Sequence, residues 1–207
     1  MISKAEINNK HLGSSLNLLI LSLRIVNTVM LIAWPFLVWA MVNYGQFHAM
    51  LIVIILFFVL RLLLSRYQTR NQQKAVWNAG WILSITGIIL GFASLFLRNH
   101  QLLMYYPVVV NVVLLTLFSG SLRYGPPIIE RVARFKEPDL PPEGIIYTRK
   151  VTYIWSLFFI FNGSVAFGTC LYNDMNLWTL WNGMVSYLLI GSLIAIEWLI
   201  RQRVRKK

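Results

Sequence analysis

Four polar side chains interrupt otherwise apolar stretches of this chain: Asn111, Asn162, Asn182 and Glu197. An amide or a carboxylate inside an apolar helix is costly without a partner and is a default functional suspect. The three asparagines can exchange hydrogen bonds between helices, which is modest glue, or line a path for a polar group. Glu197 could belong to a proton relay. It also stands four residues before Arg201, the favourable order for an ion pair on one helix face, close enough to a span end for both side chains to reach the interface.

Other chemistry is thin. There is no HExxH, no CxxC pair, no Walker loop and no glycine-rich dinucleotide turn. His11, His48 and His100 are scattered, with no carboxylate cluster to complete a zinc site. Cys170 is the single cysteine, so it has no disulfide partner within the chain, and no base in its span could activate it. The expectation is a protein that is not an enzyme and holds no metal or cofactor.

The elements that position these side chains are membrane spans. The chain is 57% hydrophobic and carries a net charge of +12, and its mean hydropathy is +0.63. No soluble basic-patch protein combines these, so nucleic acid is not the expected partner; membrane lipid is. Crossing a hydrocarbon layer of about 30 Å takes about 20 apolar residues at about 1.5 Å each. Stretches at about 25–44, 47–64, 77–97, 102–121, 152–171 and 180–199 qualify or come close, which predicts an all-α bundle of six transmembrane helices.

Charge orients the bundle. Lys4, Lys10 and Arg24 precede the first span, and Arg61, Arg66, Arg70 and Lys74 surround the second link. Arg123, Arg131, Arg134, Lys136, Arg149 and Lys150 lie between the fourth and fifth spans, and Arg201, Arg203, Arg205, Lys206 and Lys207 follow the sixth. The opposite face has only Arg98. Positive residues near span ends stay in the cytoplasm, so both termini are expected there. The chain then divides into a cytoplasmic segment 1–24, whose Leu16–Leu23 part can lie at the interface, a membrane domain 25–200 and a basic tail 201–207. Arg61 is expected within reach of the inner surface. Trp39, Tyr44, Tyr105, Tyr106, Trp178 and Trp181 are expected at the outer headgroup level, and Trp77, Trp81, Tyr153, Trp155 and Trp198 toward the inner one.

Two further features concern packing and docking. Gly80, Ser84, Gly87, Gly91 and Ser94 recur at every third or fourth position of the third span, a stripe of small residues that lets another helix approach closely. The long connection 123–150 is the one organised loop. Pro126 and Pro127 suit a helix start. Ile128, Val132 and Phe135 fall on one side of a short amphipathic helix that can lie on the membrane surface. Residues 137–144 hold too many prolines for a helix and predict an extended strap. On this reading Pro126, Pro127, Glu130, Arg131, Asp139, Leu140 and Pro141 form a candidate partner-docking face, turned outward.

The stretch Gly125-Pro126-Pro127-Ile128-Ile129-Glu130-Arg131, followed by Glu137-Pro138-Asp139-Leu140-Pro141-Pro142-Glu143, resembles a family of uncharacterised bacterial inner-membrane proteins. Some members of that family are encoded beside aryl-polyene or fatty-acid-type biosynthesis genes. Tyr147-Thr148-Arg149, Trp155, Phe158-Phe159, Asn162, Trp178, Asn182-Gly183 and Glu197 complete the resemblance over the C-terminal half. More distantly, Pro127 to Arg131, Leu140-Pro141, Trp155 with Phe158-Phe159, and Trp178 resemble the intracellular septation protein A family. The resemblance implies support of cell-envelope or lipid-linked, including aryl-polyene, biosynthesis through envelope-biosynthesis or division proteins on the cytoplasmic side. A small carrier or flippase for a lipid-like product is the alternative, motivated by the intramembrane asparagines and Glu197.

Overall fold

The computed structural model describes residues 21–205 apart from 24, 27, 28, 31, 45, 46, 67–73, 100 and 136. The segment 1–20 and the last two residues of the basic tail therefore lie outside the described residues. Among those described, the protein is helical without strands: α1 Trp34–Asn43, α2 Phe47–Arg66, α3 Lys74–Leu97, α4 Gln101–Met104, α5 Tyr106–Arg123, α6 Ile128–Ala133, α7 Pro142–Tyr172, α8 Met175–Leu180 and α9 Ser186–Arg205. A π-helical turn, Trp181–Val185, joins α8 to α9. Three helical stretches, Gln101–Arg123, Pro142–Tyr172 and Met175–Arg203, are long and apolar enough to cross a membrane. Leu51–Leu63 and Trp81–Leu97 are shorter apolar helices. These features mark a helical membrane protein.

The ends of the elements follow local rules. Proline has no N–H to lose at a helix start, and α7 begins with Pro141 as its cap and Pro142 in its first turn. The extended strap expected over 137–144 is thus shorter, because Pro142, Glu143 and Gly144 already belong to α7. At the other end Asn173 takes the left-handed conformation, with φ of 57°, and its N–H bonds to the Thr169 carbonyl. Asp174 then caps α8 by accepting from the backbone N–H groups of Asn176 and Leu177, at 2.8 and 3.1 Å. One tight turn therefore reverses the chain. A second turn ends α3, where Ser94 Oγ donates to the Asn99 carbonyl. The two turns are joined by Gln101 Nε2, which donates to Asn173 Oδ1 at 2.9 Å.

The core lies toward this Asn173 end. Trp34, Val38 and Met41 of α1 meet Leu51, Ile54, Phe57 and Phe58 of α2, together with Leu103, Met104, Tyr106, Cys170 and Trp178. Phe96, Leu157, Ile89 and many other large apolar side chains point outward instead, as lipid-facing surfaces require. Helix α3 packs between α2 and α5. Ser84 and Ser94 are fully buried. A Cβ at Gly87 would collide with the Phe58 ring, and one at Gly91 would lie 2.9 Å from Ile55 Cγ1. Gly80 belongs to the same helix.

Helices α5 and α7 run antiparallel in close contact, with Tyr105 against Phe167 at one level and Phe118 against Phe159 at another. At Gly163 a Cβ would be 3.0 Å from Asn111 Cβ. Glycine is required there for the two backbones to come this near.

Candidate functional site: a tied strap, a cleft and a polar ladder

The chain between α5 and α7 is held by side chains reaching back to its own backbone. Ser121 Oγ accepts from the Ile128 N–H at 3.0 Å and donates to the Phe118 carbonyl at 2.7 Å. This fastens the first residue of α6 to the end of α5. Arg131 Nε donates to the Pro126 carbonyl at 2.8 Å. Arg134 pairs with Glu130 at 2.8 Å and donates to the Pro138 carbonyl at 2.9 Å. Arg149, on α7, reaches the Leu122 carbonyl at 3.3 Å. The strap is a bonded unit.

These ties correct the outward docking face. Glu130 is 4% exposed, turned inward, and Arg131 is occupied with Pro126. Pro127 is buried, whereas Pro126, Asp139 and Pro141 are exposed. Leu140 is half-buried and covers Gly144, where a Cβ would come within 2.9 Å of Leu140 Cγ. The expected apolar face also divides: Ile128 is buried in the protein, while Val132 and Phe135 are exposed. A six-residue helix has too few turns for one stripe to decide its orientation; the Ser121 and Glu130 bonds decide it.

Under the strap an open cleft of about 570 Å³ runs between α5, α6, α7 and the end of α9. Glu197 stands at its edge. Its Oε2 pairs with Arg201 at 2.7 Å, and Tyr147 Oη donates to its backbone carbonyl at 3.0 Å, with Oε1 at 3.4 Å. Tyr147 thus ties α7 to α9. Sequence reasoning did not single it out for this, although a tyrosine near a helix start is suited to such a bond.

Deeper in the bundle, the asparagines are brought together. Asn111 Nδ2 donates to the Pro107 carbonyl at 2.8 Å, and its Oδ1 accepts from Asn162 Nδ2 at 3.1 Å. Asn162 Oδ1 in turn accepts from Ser186 Oγ at 2.7 Å. The ladder crosses α5, α7 and α9, and all three residues are buried. Asn182 lies one turn before Ser186 and bonds to the Trp178 carbonyl at 2.9 Å and to Thr169 Oγ1 at 3.5 Å. Ser186 was not among the candidates, yet its spacing of four from Asn182 put it on the same face.

Two of the aromatic residues expected at the outer headgroup level, Trp178 and Tyr106, are packed in the core. Trp178 is fully buried, and its Nε1 donates to the Met104 carbonyl at 3.0 Å. Cys170 Sγ approaches the same oxygen at 3.2 Å. The helix breaks nearby at Tyr105, where α4 ends and α5 starts with Pro107 in its first turn. Tyr106 is 3% exposed and packs on Trp34 and Phe58 at 4.8 and 5.1 Å. Arg61 Nη1 is buried, and the guanidinium faces the Tyr106 hydroxyl. Among the described residues, Trp34 Nε1 and Arg61 Nη1 have no hydrogen-bond partner.

Among the described residues no three His, Cys, Asp or Glu side chains converge in a way that could hold a metal ion. No family model, no curated protein and no solved structure matches the chain.

Proposed function

We propose that this is a non-enzymatic bacterial inner-membrane protein with six spans and both termini in the cytoplasm. It supports cell-envelope or lipid-linked biosynthesis by presenting the strap between α5 and α7 to partners. The observation that carries this reading is the tied strap, whose bonds hold Asp139, Pro141 and the Pro126 turn at fixed positions. A surface already rigid loses little entropy on binding. The distribution of Lys and Arg supports the orientation.

In a deletion strain with a measurable envelope phenotype, the double variant Pro126→Ala/Asp139→Arg should insert at normal abundance and fail to complement. Full complementation would remove the docking reading. Reporter fusions after Asn99 and Asn176 should report the outer compartment, and those after Gly144 and Lys207 the cytoplasm.

The second reading, a small carrier or flippase for a lipid-like product, draws on the open cleft. The asparagine ladder lends it less support, since each amide is engaged by a neighbouring helix.

A further inference from the structure

Two ties join α7 to α9, and the cleft lies between them. Tyr147 bonds to Glu197 at one end, and Asn162 bonds to Ser186 at the other. The lining residues of α7 stop at Phe159, one turn short of Asn162, and those of α5 stop at Leu114, one turn short of Asn111. The asparagine ladder is thus the floor of the cleft. From Tyr147 to Phe159 along α7 is about 18 Å at a rise of about 1.5 Å per residue. The space is a slot that follows the helices.

The polar groups along the slot are already satisfied. Glu197 pairs with Arg201 at 2.7 Å, and Thr148 Oγ1 donates to the Ile145 carbonyl at 2.9 Å. Tyr147 is bonded to Glu197, Glu137 is engaged as well, and Glu143 is exposed at the start of α7. The rest of the wall is hydrocarbon, from Leu114, Phe118, Val151, Trp155, Phe159 and Ile194. Phe118, Trp155 and Phe159 pack on one another, with ring centroids 5.1–6.3 Å apart. Ile194 and Trp198, one turn apart on α9, are half exposed. The open edge of the slot therefore continues into the lipid-facing surface of α9.

A volume of about 570 Å³ is many times the share of one water molecule, about 30 Å³. Water would find few free polar partners there, and an empty slot would forfeit the dispersion contacts of its lining. In a bilayer the filler at hand is hydrocarbon. We infer that the slot holds one acyl chain of a bilayer phospholipid, laid along Phe118 and Trp155 with its end toward Asn162. The protein selects the chain and leaves the head group unread. The chain enters past Ile194. The site lies beneath the strap, and it requires neither a partner on the strap's exposed side nor transport of the chain.

The test uses the full-length protein in phosphatidylcholine vesicles containing equal parts of three phospholipids, each with a diazirine in mid-chain and a choline, ethanolamine or glycerol head. After mild detergent extraction, native mass spectra should show a retained phospholipid, with the three head groups in the proportions supplied. Illumination should label Leu114 inside the slot as well as Leu157, which is exposed on α7. Val151→Phe should lose the retained lipid and the Leu114 label while Leu157 stays labelled. Ile194→Trp, at the exposed edge, serves if Val151→Phe does not fold. Ile160→Phe, exposed on α7 and outside the slot, should change neither readout. Retention skewed to one head group would overturn the inference, and so would a lipid retained and Leu114 labelled as strongly in the blocking variants. An unlabelled Leu114 with no retained lipid would overturn it by showing that the slot closes in the bilayer. An unlabelled Leu114 in a dimer that Ile194→Trp dissociates would overturn it in favour of a second copy.

Discussion

Two polar clusters sit inside the helical bundle, and their hydrogen bonding is opposite. In the ladder formed by Asn111, Asn162 and Ser186, each side chain answers the next across α5, α7 and α9. At the junction of α1, α2 and α5, Trp34 Nε1 and Arg61 Nη1 are buried without a partner among the described residues. Burying a donor that is bonded is nearly neutral, whereas burying one that is not loses its hydration outright. The ladder therefore joins helices, and the junction loads the fold with an unmet demand for acceptors. Polarity inside a membrane protein is not one kind of signal. What each group is bonded to separates adhesive from strain.

The largest effect expected from this contrast is at Asn162. Asn162→Leu strands both Asn111 Oδ1 and Ser186 Oγ, so it should destabilise the protein by about 1–3 kcal/mol in detergent unfolding. A double-mutant cycle with Ser186→Ala should show coupling between the two positions. Additive effects would mean that the ladder is not a connected unit.

The junction should respond in the other direction. Arg61→Met keeps much of the side-chain length and removes the unmet Nη1 donor, and it should raise stability by about 1 kcal/mol. A loss of stability on that substitution would reveal an acceptor for the guanidinium and abolish the distinction between the clusters. The smallest change should come from Tyr106→Phe, which keeps the ring contacts with Trp34 and Phe58 while deleting only the hydroxyl. Its melting midpoint should correspond to a change within about 0.5 kcal/mol of wild type. A drop beyond that would show that the hydroxyl is bonded in the bilayer.

Much of the helical character was legible because long apolar runs leave few alternatives to helices. The places where the reading went wrong share a cause: a residue with two physically acceptable fates. Pro142 could prolong an extended strap or open a helix, and the structure uses it to open α7. Trp178 could sit among headgroups or give its N–H to a carbonyl inside. The structure gives that N–H to the Met104 oxygen. Glu130 was judged by an apolar pattern on α6, while its spacing of four from Arg134 already offered an internal partner. Gly87 and Gly91 could be recognised as a small-residue face, but nothing local named Phe58 and Ile55 as the side chains that would fill it. Partners across a bundle depend on how helices are rotated about their axes, and local sequence does not encode that.

The length of α7 has a mechanical consequence. Its 31 residues extend about 46 Å, against a hydrocarbon layer of about 30 Å. In a bilayer such a helix must lean, project, or do both. Its surplus lies where Tyr147 is bonded to the end of α9 and Arg149 to the end of α5. A thinner membrane would tilt this overlong post further, and the tilt would act through those two bonds on the spacing of α5 and α9.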